Sequence, residues 1–211
     1  HRDLHSFPTR RSSDLGSLNV AAEYIDRISK GDIPPKITDT YTGDFNEIKN
    51  NVNACIDGLG GLVEASNVLQ AMSVNDYTKR VEGKYHGIYA QTGEAVNTVR
   101  ERIFHVINIV NHVALGDLGE LDALKKAGKR SENDRLVPAV ITMMENIQAL
   151  IADTNLLSQA AVEGKLSIRA DAAKHQGDYR KIVEGLNATL DALITPLNVT
   201  AEYVDRISKG D

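Results

Sequence analysis

The stretch Leu18–Asp32, LNVAAEYIDRISKGD, returns almost unchanged as Leu197–Asp211, LNVTAEYVDRISKGD. Thirteen of fifteen positions agree; the exchanges are Ala21 for Thr200 and Ile25 for Val204. Such agreement across 179 residues marks a repeat or a multiple of one. Weaker copies lie between. Residues 31–43, GDIPPKITDTYTG, align without gaps on residues 75–87, NDYTKRVEGKYHG, and Val52-Asn53 then falls on Val96-Asn97. Further junctions stand at Gly116-Asp117-Leu118, Gly164-Lys165-Leu166 and Gly210-Asp211. The steps between junctions are 44, 41, 48 and 46 residues. Periods of roughly 20–50 residues belong to arrays of small repeated units. The chain therefore reads as modules over 16–61, 62–104, 105–150 and 151–195, with the start of a fifth at 196–211.

Each module follows one order: a helix, a Gly-Asp junction or variant, a connector of about a dozen residues, and a second helix. In the first, Leu18, Ala21, Ala22, Ile25 and Ile28 keep the helical period over about 18–30. Gly31 ends that helix and Pro34-Pro35 forbids its continuation. Asp44 suits an N-cap or a first-turn acid. Phe45, Ile48, Val52, Ile56 and Leu59 then form a stripe with coiled-coil spacing. Tyr179, Ile182, Leu186, Leu190 and Leu193 repeat it in the fourth module, and no breaking loop separates Asp44 from Met72.

The connectors carry apolar residues at spacing four: Ile33, Ile37 and Tyr41, recurring as Tyr77, Val81 and Tyr85. A solvated loop has no use for them. An antiparallel hairpin needs only about 2–5 linking residues. A dozen extended residues reach about 40 Å, enough to climb back along a short helix. The second helix then runs parallel to the first, with the connector residues in the groove between. Two such helices bury too little alone, and a second copy would complete a four-helix core.

This order resembles the HAMP domain, the signal-relay module of bacterial chemoreceptors and sensor kinases. The resemblance covers residues 16–211, and EYIDRISKGDIPPKITDTYTGDFNEIKNNVNACIDGL looks most like tandem arrays in methyl-accepting chemotaxis proteins. It implies an all-α fold of tandem two-helix modules with extended connectors, forming a parallel four-helix coiled coil as a homodimer. Carried over, Gly31 is the junction glycine, with Gly116 and Gly164 at later junctions and Leu166 following the last. Ile33 and Ile37 are connector anchors, and Asp44 and Asp178 start second helices. The second module departs from the pattern, with Asn75 for Gly and Ile88 where an acid is expected. The third carries about six extra residues and places Pro138 inside its second helix.

The expected partners are a second copy and flanking sensor and output domains of the same chain. The same relay in a sensor histidine kinase, or a purely structural spacer, are the alternatives. A spacer predicts uniform modules, which these are not.

Nothing in the sequence supports catalysis. There is no Walker loop, dinucleotide-binding glycine fingerprint or His-Glu-x-x-His. His86, His105, His112 and His175 lack the following acid of a phosphoacceptor site. His105 and His112 share a helix face seven apart, beside Ile103, Ile107, Val110 and Ala114, and read as polar flanks rather than metal ligands. No cofactor or metal is expected. Cys55 is the single cysteine, which excludes a disulfide framework, and it reads as a buried, inert thiol beside the seam. Asn187 and Asn198 sit in chance glycosylation patterns, and Lys125–Arg135 reads as a solvated connector.

The composition agrees. Of 211 residues 42% are hydrophobic, 25% charged and only 5% aromatic, with no Trp, which favours aliphatic helix packing. A net charge of −5 gives nucleic-acid binding no electrostatic support. No apolar run approaches the roughly 20 residues of a membrane span, and the N-terminus lacks a secretory apolar core. The segment reads as cytoplasmic, without direct membrane insertion, from a parent compatible with an inner-membrane anchor. Residues 1–15, HRDLHSFPTRRSSDL, have no period and resemble the in-frame translation of a sequencing adapter. They are set aside from fold reasoning. The last motif is cut short, so the chain reads as a piece of a longer gene.

Overall fold

The computed structural model describes residues 9–210, and among them the regular structure is all helical. Six α-helices follow in order: α1 (Thr9–Ser29), α2 (Asp44–Ser73), α3 (Gly87–Ala114), α4 (Leu121–Ala127), α5 (Leu136–Val162) and α6 (Gly177–Ser208). One turn of 3-10 helix lies at Ala172–Lys174. The chain divides into two compact units, one up to residue 108 and one from 109 on.

The first unit holds two hydrophobic clusters. In the first, Ile37, Val52 and Ile56 are buried, with Val20, Tyr24, Ile28, Ile33, Tyr41 and Ile48 packed around them. In the second, Ala65, Val68, Val81 and Val96 are buried, with Met72 and Tyr85 against them. The second unit holds two more. Ile109, Leu121, Leu124, Val140 and Met144 form one, and Leu157, Ala170 and Val183 form the other. Every cluster draws on a helix, the segment that follows it and the next helix. A dozen residues between successive helices are packed rather than solvated for this reason.

The helices end where expected but begin and turn differently in places. α1 extends upstream of Leu18 to Thr9. The adapter-like stretch thus lies outside the described residues over 1–8 and enters the first turns of α1 from 9. α2 is unbroken over 30 residues despite Gly58, Gly60 and Gly61. Pro138 falls in the first turn of α5, where backbone N–H groups have no intrahelical partner, so it breaks nothing. Pro196 lies inside α6, which continues through it.

The largest departure is the connector 117–135, which is not extended: it folds into α4. Leu121 and Leu124 on one face of that short helix are buried in the third cluster, which accounts for the extra residues. The stretch expected to be a solvated loop over Lys125–Arg135 is therefore helical at its start.

Two stripes are also rotated. On α6 the buried residues are Val183 and Ile194, while Ile182 and Leu193 are exposed. On α3 Ile109 is buried and Val110 exposed. Apolar spacing of three and four defines a face about 100° wide or more. It does not say which edge of that face meets the chain's own connector. Cys55, expected to be buried, is exposed. α5 is long and apolar enough by length and composition to cross a bilayer, against the expectation of no such run.

Candidate functional site

The helix-to-connector junctions are built alike. Gly31, Gly116 and Gly164 have φ of 81°, 80° and 72°, and Asn75 takes the same left-handed backbone at 64°. Each closes the preceding helix with a pair of bonds. The Gly31 N–H donates to Ile28 O at 3.0 Å and the Asp32 N–H to Arg27 O at 3.0 Å. The Asn75 and Asp76 amides repeat this onto Met72 and Ala71, as do the equivalents at Gly116 and Gly164. These are Schellman ends, and glycine is favoured there because it has no Cβ to strain. Asn75 is the non-glycine residue that tolerates the conformation best. The acids after the junction close local bonds. The Arg27 side chain donates to Asp32 at 2.6 Å and holds its carboxyl below the usual carboxylate range.

At the far end of three connectors a glycine, Gly43, Gly87 or Gly177, again has positive φ. Gly43 occupies the N-cap position and makes no side-chain cap, so Asp44 is the first helical residue and acts on the helix dipole rather than as the cap. Asp178 likewise lies in the first turn of α6 and pairs with Lys181 at 2.7 Å.

Between these ends the connector is held by an asparagine. The Ile37 N–H donates to Asn53 Oδ1 at 2.8 Å, and Asn53 Nδ2 donates back to Ile37 O at 3.0 Å. Asn97 holds Val81 in the same way, at 2.9 Å both ways. Asn187 holds Ala170, at 3.0 and 2.8 Å. One primary amide thus satisfies both backbone groups of a buried residue that has no sheet or helix to satisfy them. One turn further along two of these helices an acid meets the cation just before the held residue. Lys36 pairs with Asp57 at 2.6 Å, and Arg169 with Asp191 at 2.6 Å. On α3 Arg100 instead donates to Tyr77 O at 2.7 Å.

The sequence-derived site residues fall into this frame unevenly. Ile33, Ile37 and Tyr41 meet in the first cluster. Val81 is buried in the second, whereas Tyr77 stays outside it: Arg100 donates to its carbonyl and its hydroxyl donates to Asn75 Oδ1 at 3.3 Å. Leu166 is exposed, and Ile168 and Ala170 supply the fourth cluster instead. The Arg169 guanidinium donates to the carbonyls of Leu166 and Ile168, both at 2.7 Å, and so fixes the backbone of this stretch. The asparagines went unassigned, although Asn53 and Asn97 stand sixteen residues after the residues they hold, a recurrence visible in the sequence. Asn187, part of a chance glycosylation pattern, is engaged in the clamp.

The second connector has a further tie. Glu64 on α2 accepts from the Glu82 N–H at 2.8 Å, the Tyr85 hydroxyl at 2.8 Å and the Gly83 N–H at 3.2 Å. The Glu82 amide, aided by the other two, holds the Glu64 carboxyl below the usual range, and the bond from the Tyr85 hydroxyl to Glu64 pushes that hydroxyl up. The Tyr85 and Tyr89 rings lie against α2 at Gly61 and Gly58, where a Cβ would run into them. Gly60 faces open space. Gly58 and Gly61 are thus seats for aromatic rings.

The third cluster has no such asparagine clamp among the described residues. Glu145 follows buried Met144 as Asn53 follows buried Val52, and it pairs with Lys125 of α4 at 2.8 Å. His105 and His112 are exposed, and His112 Nδ1 lies 3.3 Å from Glu120. Among the described residues no group of His, Cys, Asp and Glu has the form of a metal site.

Comparison with known families places this architecture. The family model described as HAMP domain matches residues 15–61 and 174–211. The first match spans the whole first cluster, and the second spans α6 with the end of the connector before it. These two segments are similar to HAMP domains, a class of relay modules in bacterial sensors. No solved structure matches the chain.

Proposed function

We propose that this chain is a non-enzymatic signal-relay segment of a bacterial sensor, built of tandem HAMP-like modules and working as a parallel homodimer. The observation that carries the reading is the asparagine clamp. It recurs in three clusters at the same place between a junction and a second helix, and one of those clusters lies wholly in a HAMP match. The second copy is supported by what one copy leaves exposed: the large apolar side chains of Ile25, Phe104, Ile182 and Leu193. Their burial against a twin helix is the usual fate of such residues. Packed cores are bistable rather than continuously deformable, so a relay of this kind passes on a choice between two packings. The wording of the first module favours a methyl-accepting chemoreceptor over a kinase as the parent, with sensor and output domains in the same chain and the segment in the cytoplasm.

The test is sedimentation equilibrium of the whole chain at micromolar concentration, followed by disulfide crosslinking of Ile182→Cys and Leu193→Cys in a Cys55→Ser background. Dimers that crosslink at matching positions are expected. A stable monomer removes the dimer, and crosslinks only between distant positions remove the parallel arrangement.

A further inference from the structure

Residues 56–58 of α2 lie where the first two clusters meet. Ile56 is buried in the first cluster. Asp57 pairs with Lys36 of the first connector at 2.6 Å. Gly58 lies under the ring of Tyr89, in the first turn of α3. A Cβ at Gly58 would stand 2.8 Å from Tyr89 Cδ2, so the ring rests on the α2 backbone itself. Helical spacing sets the two contacts on different sides of the helix. Gly58, Gly61, Ala65 and Val68 step by three and four and share one face, which carries the two rings and the second cluster. Ile48, Val52 and Ile56 step by four and lie roughly opposite, in the first cluster. At this level α2 is therefore held between Ile56 packing on one side and the Tyr89 ring on the other. Among the described residues no other helix has a glycine under a ring. Gly93 of α3 meets Val81, and Gly185 of α6 faces open space.

We propose that the Tyr89 ring seated on Gly58 couples the first cluster to the second, so that loosening either one loosens the other. Tyr89 is half-buried and belongs to neither cluster's buried set. Its part is mechanical. A close-packed interior transmits a displacement instead of absorbing it. When α2 shifts at 56–58 to repack the first cluster, the ring has to follow. When the start of α3 moves away, the support behind Ile56 goes with it. The ring has a firm base for this, because Tyr85, one turn earlier, is tied to Glu64 on the same helix at 2.8 Å. The Lys36–Asp57 pair is exposed on both sides and adds little. Ile56 and Gly58 therefore carry the connection. A coupling of this kind is reciprocal by linkage. It is a property of the first unit of one chain, and it stands whether or not the segment relays a signal.

Hydrogen exchange of the whole chain tests it, read on peptides covering 33–41 and 82–93, with 165–176 as the internal reference. Tyr89→Ala is expected to speed exchange at 33–41 by about two- to tenfold, the lower part of the range for coupled neighbours. Tyr89→Phe keeps the ring and is expected to leave 33–41 unchanged. Val96→Ala loosens the second cluster from within. It is expected to speed exchange at 33–41 when Tyr89 is present and to add nothing there in the Tyr89→Ala background. An effect of Tyr89→Ala confined to 82–93 overturns the proposal. So does an effect of Val96→Ala on 33–41 that is the same with and without the ring, since the coupling would then run by another route. If Tyr89→Ala releases the second cluster altogether, Tyr89→Leu, which keeps apolar bulk but no ring, takes its place under the same criteria.

Discussion

The connectors 31–43 and 117–135 do the same task by different means. The first is extended, presents Ile37 to the groove, and is fixed by Asn53 through the backbone. The second folds α4 and fixes itself by burying Leu121 and Leu124, with Lys125–Glu145 at the margin. A clamped connector keeps its bonds even when the side chain it presents changes. A helical connector depends on that side chain, since a seven-residue helix has too little propensity to stand alone. The two modes should therefore fail differently.

The largest effects come from core truncation. Ile37→Ser and Leu121→Ser should each cost about 2–5 kcal/mol of local stability, a core loss plus a buried hydroxyl. Segment-resolved hydrogen exchange separates them. Leu121→Ser should release all of 117–135, whereas Ile37→Ser should leave the Ile37 amide partly protected by Asn53. Equal release of both connectors would erase the distinction.

Removing the clamp comes next. Asn53→Ala strands a partly buried donor and acceptor, at a cost of about 1–3 kcal/mol. Asn146→Ala on α5 should be close to neutral, because the third cluster does not use a clamp. Loss of comparable size at both would show that the bond pair contributes little.

The glycine seats sharpen the contrast within α2. Ala gains about 1 kcal/mol over Gly in a helix interior. At Gly58 and Gly61 that gain is outweighed by roughly 1–3 kcal/mol of overpacking against Tyr89 and Tyr85. Gly58→Ala and Gly61→Ala should lower the melting temperature, and Gly60→Ala, facing open space, should raise it. A rise for all three would show that the rings do not need these glycines and that the run only softens the helix.

Acid should act on the second connector before the first. The Glu64 carboxyl is depressed in the folded protein, so its contribution is present above its ordinary range near about 4.3 and is lost as pH falls through the lower folded value. Protection at 82–85, taken relative to protection at 33–41 in the same molecule, should therefore fall as the pH drops below about 4.3. The smallest effect is at the junction. Asn75→Gly should stabilise by about 0.5 kcal/mol by relieving a left-handed residue, measured as a shift in the exchange of 71–76.

The helices and their ends were readable because their signals are local. Gly31, Gly116 and Gly164 announce left-handed helix ends, and stripes such as Ile48, Val52 and Ile56 announce a buried face. The connectors were readable as packed because Ile37 and Val81 are out of place in water. What the sequence could not deliver depends on partners brought together by folding. Asn53 looks like any polar flank of a helix until a backbone with unpaired groups lies beside it. Leu121 and Leu124 look like loop residues until a groove accepts them. Ile168 and Ala170, rather than Leu166, enter the fourth core, a choice that no spacing rule contains. Whether Ile182 or Val183 faces inward is a matter of one helical step, which periodicity leaves open.

The clamp also has a consequence for how such a chain changes over generations. Asn53, Asn97 and Asn187 grip a peptide group, and every amino acid except proline presents the same one. The gripped position can therefore drift among Ile37, Val81 and Ala170 without losing its fastening. Grip and cargo are inherited separately: one residue preserves the geometry while its counterpart is free to retune how tightly each groove is filled.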